Sequence, residues 1–167
     1  EGANLLKSRY NPNFTPTADD YYITLTTHNY SADNINRIEL EKLTTPIHEF
    51  HAKVHGSFPE NAFPLDQVLE LKEGAKVMFV KNDTEIPRRF YNGKIGIVSS
   101  IEDDIIRVEC PGDSYEIEVP TLTWENIRYN TNSETNIIEE EIIGTFEQIP
   151  LRLAWVITIH KSQGLTF

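Results

Sequence analysis

The chain has 167 residues, 39% of them hydrophobic and 10% aromatic, enough for one ordinary domain or two small ones with a real core. With 26 acidic against 15 basic residues its net charge is −11, which weighs against a free-standing nucleic-acid binder with a basic stripe and leaves room for a few local contacts. One cysteine, Cys110, excludes an internal disulfide framework and fits a reducing, cytoplasmic setting, and no apolar stretch nears the roughly 20 residues of a membrane helix.

Residues 1–20 read as a connector: a short helical pattern (Leu5, Leu6, Tyr10), then a Pro/Asn/Thr loop closed by Asp19 and Asp20. Tyr21 to Thr27 is β-branched and aromatic and predicts a strand. His28, Asn29 and Tyr30 follow as a turn, and Ser31 is the expected N-cap of a helix running to about Leu43. Ile35, Ile38 and Leu43 are its expected buried residues, and Thr44-Thr45-Pro46 stops it. His48, His51 and His55 invite a zinc reading, but their spacing puts no three on one face, and no cysteine or nearby carboxylate completes a set. A half-exposed strand, with Phe50, Ala52 and Val54 inward, is the better account. Residues 57–68 form a loop that crosses apolar surface with two phenylalanines.

From residue 69 to 136 short β patterns recur between turn signals, the pattern of a small SH3-like barrel. Its strands are expected at Ala75–Val80, Lys94–Ile101, Ile105–Cys110, Tyr115–Val119 and Leu122–Tyr129. Asn92-Gly93 marks a tight turn and Gly96 a bulge or close approach. Arg88 and Arg89, flanked by Lys81 and Lys94, form the basic island of an acidic chain, on a loop. They suit phosphate contact, or equally a solvated loop tip whose charges offset Asp83 and Glu85. Tyr129 to Asn136 reads as a polar linker. Glu139-Glu140-Glu141 cannot all face one way along a strand, so edge protection is plainer than metal binding.

The last stretch, 137–167, returns to an apolar layer and changes character abruptly after Ile159. His160, Lys161, Ser162 and Gln163 bring donors suited to phosphate oxygens, at the place where open α/β sheets hold ligands. Whether Ala154 to Ile159 is strand or helix stays open on pattern alone. The chain stops one residue after this block finishes and reads as a piece of a longer protein.

Three blocks carry a resemblance. T-I-H-K-S-Q-G-L-T-F, preceded by P-L-R-L-A-W-V, resembles motif V of superfamily-one DNA helicases of the RecD-like and PIF-type branch. I-T-L-T-T-H-N-Y-S-A-D-N-I-N resembles their motif IV. Leu71 to Asp83 with Asn92 to Val98 is similar to the segment that leads into their SH3-like insertion. The resemblance implies an α/β plus β fold: part of the second RecA-like helicase lobe (21–68 and 137–167) with an SH3-like barrel inserted at 69–136. It implies single-stranded DNA contacts by Thr27, His28, Asn29, Arg88, Arg89, Thr158, His160, Lys161 and Ser162. Gln163 and Gly164 would lie on the path to the nucleotide, and Asn36 would be helical and fix the loop. ATP and Mg2+ would serve the whole protein, with the first RecA-like lobe as partner. The chain holds no G-x-x-x-x-G-K-[ST] phosphate loop and no Asp-Glu pair after an apolar strand. It is therefore expected to bind no cofactor or metal and to be inactive by itself. The alternative is a non-catalytic protein- or nucleic-acid-binding module derived from a helicase lobe.

Overall fold

The structure is a computed structural model that describes residues 2–14, 21–131 and 137–159. It opens with a short helix, α1 (Gly2–Ser8), whose neighbourhood leaves Leu5 and Tyr10 exposed. Asp19 and Asp20 lie outside the described residues.

The expected strand–turn–helix unit is present. Strand β1 (Thr24–Thr26) is followed by α2 (Asn29–Lys42). The helix starts earlier than Ser31: His28 is the cap residue, in an extended conformation, and the Ala32 N–H donates to its carbonyl. Its buried face also differs from the expected one. Ala32, Asn36 and Leu40 are buried, whereas Ile35 and Ile38 are 37% and 43% exposed. Positions i, i+4 and i+8 form one stripe, and a small alanine beside a short amide lets the helix approach a strand closely. Leu43, just past the helix, packs partly buried against the main core.

The histidine-bearing segment is two strands. β2 (His48–His51) and β3 (Lys53–Gly56) are separated at Ala52, where the chain passes from one sheet to another. Phe50 is buried, while His51, Lys53 and His55 are exposed, as the alternation predicts. In the loop that follows, Phe58 and Phe63 pack around the fully buried Phe146, with ring centroids 5.9 and 4.8 Å away.

The remaining strands are β4 (Val68–Leu71), β5 (Lys76–Phe79), β6 (Ile95–Glu102), β7 (Ile105–Glu109), β8 (Ile117–Glu118), β9 (Leu122–Thr131), β10 (Ile138–Gln148), β11 (Leu151–Leu153) and β12 (Val156–Thr158). They build four sheets: β1-β12, β2-β4, β3-β10-β9 and β11-β5-β6-β7-β8. The five-stranded sheet is open, and among the described residues no sheet closes into the expected SH3-like barrel. The reason is the partner of β9. Its residues pair with β10 in an antiparallel hairpin, Leu122 opposite Gln148 through Thr131 opposite Ile138, instead of closing the five-stranded sheet. The expected linker at Tyr129–Asn136 is correspondingly strand as far as Thr131, and residues 132–136 lie outside the described ones.

The core sits on β5, whose four residues are all buried because β11 and β6 flank it and side chains cover both faces. Leu71, Val77, Phe79, Ile106, Val108 and Leu151 are its fully enclosed members. Gly96 on β6 is a close approach: a Cβ there would sit 2.4 Å from the Val108 side chain and 2.6 Å from the Glu109 carbonyl. Gly93 takes φ +98 in the Asn92-Gly93 turn, the left-handed region that glycine tolerates. We expect Gly96→Val to lower stability by about 2 kcal/mol or more, because a side chain forced into packed backbone cannot be relieved by rotamer change. Equilibrium urea unfolding checks it; an unchanged midpoint would show that β6 and β7 are not in this register.

Candidate nucleic-acid interface

Parallel pairing brings two of the sequence segments together. Thr24, Leu25 and Thr26 of β1 lie opposite Val156, Ile157 and Thr158 of β12. Both strands therefore end at the same edge, Thr26 opposite Thr158, with Thr27, His28 and Asn29 following directly after β1. At that edge the Thr27 hydroxyl lies 2.7 Å from Nδ1 of His28, and Thr27, His28 and Asn29 are all exposed. The first turn of α2 adds main-chain N–H groups, and His28 makes no side-chain cap bond that would occupy them. Tyr30, in this same turn, is 84% exposed. Sequence reasoning took it as a turn residue; the signal for it was an aromatic among polar neighbours at a strand end, a surface on which a base can stack.

Thr158 itself is 2% exposed, and its hydroxyl has no hydrogen-bond partner among the described residues. In this conformation it is enclosed at the strand end and does not reach the surface. His160, Lys161, Ser162, Gln163 and Gly164 lie outside the described residues.

Asn36 fixes β12 from the other side. Its Nδ2 donates to the Val156 carbonyl at 2.8 Å, and the Val156 N–H donates to its Oδ1 at 3.0 Å. The expected loop-fixing role thus falls on the strand itself. A cleft of about 240 Å3 opens on this flank, lined by Asn36 together with Asp33, Arg37 and Arg152.

The basic island occupies a separate place. The loop after β5 leaves the sheet beside Pro150 and Leu151, at the start of β11, where Val80 N–H donates to the Pro150 carbonyl. Arg89 is committed to the protein. Its Nε donates to Asp83 Oδ2 at 2.7 Å and its Nη2 to Oδ1 at 3.1 Å, and Glu85 lies 3.5 Å away. The main-chain N–H groups of Glu85 and Arg89 also donate to the Asp83 carboxylate. Lys94 pairs with Asp113 at 2.6 Å, and Lys81 donates to the Thr123 carbonyl while its ammonium lies 4.7 Å from the Trp124 ring centre. Desolvation lowers the Lys81 pKa, with Glu125 opposing it. Of the four basic residues only Arg88 is exposed. It stands beside Ile86, which is 97% exposed. The loop is therefore a rigid neck with an open tip: Phe90 stacks on Phe79 at 4.3 Å below, and Ile86 to Arg88 are presented above.

Burial pushes the Cys110 thiol up to about 11, which leaves it a protonated core residue. Among the described residues no three His, Cys, Asp or Glu side chains assemble a metal site. No helix among them is long and apolar enough to cross a membrane.

No family model matches the chain. Solved structures do. The unliganded Pif1 from Bacteroides sp is 37% identical with a TM-score of 0.86, covering 99% of this chain and 37% of that one. Bacteroides Pif1 bound to ssDNA is 36% identical with a TM-score of 0.74, covering 98% and 36%. The mixed α/β architecture and this similarity define a portion of a superfamily-one DNA helicase. Human ATP-dependent DNA helicase PIF1 is 33% identical over 153 residues, which are 85% of this chain and 21% of the human protein. The chain belongs to the PIF1-type helicases and corresponds to their C-terminal portion. It spans between 21% and 37% of the length of these relatives.

The Asp83–Arg89 pair sets a pH dependence. Hydrogen bonds from Arg89 hold the Asp83 carboxyl down at about 2 against burial, which acts the other way. A carboxyl depressed in the folded state stabilises above its unfolded pKa, near 4, and the contribution fades as pH falls through about 2. We expect Asp83→Asn to cost about 2 kcal/mol near neutral pH. In urea unfolding the gap between the two proteins should narrow steadily as pH is lowered from about 4 to 2. A gap that does not change with pH would mean the carboxylate is not charged against Arg89.

Proposed function

We propose that this chain forms part of the second RecA-like lobe of an ATP-dependent DNA helicase, and that the edge shared by β1 and β12 grips single-stranded DNA. The parallel register that ends β1 and β12 together, Thr26 opposite Thr158, is the observation that carries it. Ligands of α/β layers sit outside the carboxyl ends of parallel strands, and both strands end here in polar residues. The DNA-bound and DNA-free Bacteroides structures to which the chain is similar support the same reading. In it His160, Lys161 and Ser162 contact the DNA backbone, Thr158 supports them from within the layer, and Tyr30 offers a stacking face. Gln163 and Gly164 lead towards nucleotide held with Mg2+ between this lobe and the first. On the β5–β6 loop Arg88 contacts phosphate, whereas Arg89 shapes the loop through Asp83. With no phosphate loop in its sequence, the chain by itself hydrolyses no ATP.

The net charge of −11 favours a second reading, a helicase-derived module that binds proteins without catalysis. ATP hydrolysis by the full-length protein, with and without single-stranded DNA, separates the two. Stimulation of about tenfold or more, collapsing in a His160→Ala, Gln163→Ala protein, supports the helicase; no stimulation in the unmutated protein supports the module. Within the helicase reading we expect Arg88→Ala to weaken DNA binding about three- to tenfold and to reduce the salt slope by about one. Arg89→Ala should instead lower the melting temperature. Equal binding by the Arg88→Ala protein at all salt concentrations would remove Arg88 from the interface.

A further inference from the structure

Strand β12 has only three residues, too few for its own main-chain bonds to hold it in place. Strand β1 pairs along one edge. On the other, the side chain of Asn36 bonds its backbone. Asn36, 6% exposed, accepts from the Val156 N–H at 3.0 Å and donates to the Val156 carbonyl at 2.8 Å, with a longer contact of 3.4 Å to the Leu153 carbonyl. A planar amide offers an acceptor and a donor side by side, so it gives Val156 both of the bonds that a paired strand residue would give.

Asn36 is also the polar member of the buried stripe Ala32, Asn36, Leu40. An apolar residue there would avoid the cost of desolvating an amide, and would leave the Val156 N–H and carbonyl unpaired on that edge. Helix α2 begins one residue after His28, so one rigid helix carries the exposed segment 27–29 at its end and the clamp on β12 two turns further on. Movement at either strand end is thereby shared by the other.

We infer that Asn36 is a positioning residue: its amide locks β12 to α2, so that the end of β12 at Thr158 and the segment 27–29 respond to DNA as one body. The inference rests on the helicase reading and deepens it.

The test uses the full-length protein and three variants. Asn36→Leu keeps the volume and removes both bonds. Asn36→Asp keeps the shape and the acceptor but sets a carboxylate against two carbonyls. Leu40→Ala removes buried packing from the same stripe, one turn past Asn36 and against the main core, and serves as the stability control. The readouts are turnover without DNA, turnover at saturating single-stranded DNA, and the DNA concentration giving half-stimulation. Hydrogen exchange of the peptide containing Val156 is followed in parallel. Both Asn36 variants should raise the half-stimulating DNA concentration about tenfold and speed exchange at Val156, while Leu40→Ala stays within about twofold of the unmutated protein. Stimulation of the unmutated protein with both Asn36 variants also within about twofold overturns this inference alone. So does a Leu40→Ala protein that reproduces the defect, because loss of stability would then suffice. Absence of stimulation in the unmutated protein overturns the helicase reading and this inference with it.

Discussion

A three-residue strand cannot anchor itself, and the site depends on how β12 is anchored. Its strand partner among the described residues, β1, is equally short, so the pair supplies few main-chain bonds. The rest of the restraint comes from two side-chain layers. Below, Ile157 packs with Met78 and Ala154, with Ile23 and Val80 alongside, which ties β12 to the central strand β5. Beside it, Asn36 ties the backbone of Val156 to α2. Precision at the strand end is thus inherited from a helix and a fully buried strand, which suits a site whose polar residues must be held by elements stiffer than themselves.

The same solution recurs where other strands end. Gln148, 2% exposed, closes β10 by donating to the Phe50 carbonyl at 2.9 Å and accepting from the Ile149 N–H at 2.9 Å. Asp83, with its side chain fully buried, accepts from two main-chain N–H groups and from a guanidinium. In each case one buried polar side chain satisfies main-chain groups that a short strand or tight loop leaves without a ladder partner. A buried polar group that is fully bonded costs little, and one left half-bonded costs one to three kcal/mol by rough measure. These positions specify the irregular connections among four small sheets, which apolar contacts alone would hold in more than one register.

Much of this was legible in the chain. The β-branched run ending at Thr27, the alternation through His51 to His55 and the Asn92-Gly93 turn each follow from local chemistry that tertiary structure left intact. Gly96 announced a close approach because a glycine inside an alternating strand needs a reason. Two readings went astray for one cause, partner choice. The buried face of α2 was taken from its largest apolar residues, yet the helix turns Ala32 and Asn36 inward because β12 is close and needs an amide. Leu122 to Tyr129 looks like a barrel strand in isolation, but it belongs to the ten-residue β9, which finds its partner in β10. For Arg89 the sequence leaves phosphate contact and charge balance with Asp83 and Glu85 both open, and the fold pairs it with Asp83. Periodicity reports which face a residue shares, and carries no information on which element lies opposite.

Charge illustrates the same limit on reading a whole chain from its sums. The acidic run Glu139–Glu141 lies on the part of the β9–β10 hairpin that extends past β3, whose pairing stops at Gly144. At about 3.4 Å per residue those carboxylates stand roughly 10–17 Å out from Gly144. That is already at or beyond the Debye length of about 8 Å at physiological salt. Their side chains alternate between faces, so Glu140 lies opposite Tyr129, while Glu141 accepts a hydrogen bond from Asn130. Such a run raises solubility and sets little potential elsewhere on the molecule. What a phosphate meets is decided within a few ångströms, and in the proposed reading the groups concerned are His28, Arg88 and the first N–H groups of α2. A negative total and a local grip on an anionic strand are therefore compatible, and the local arrangement is the one that bears on function.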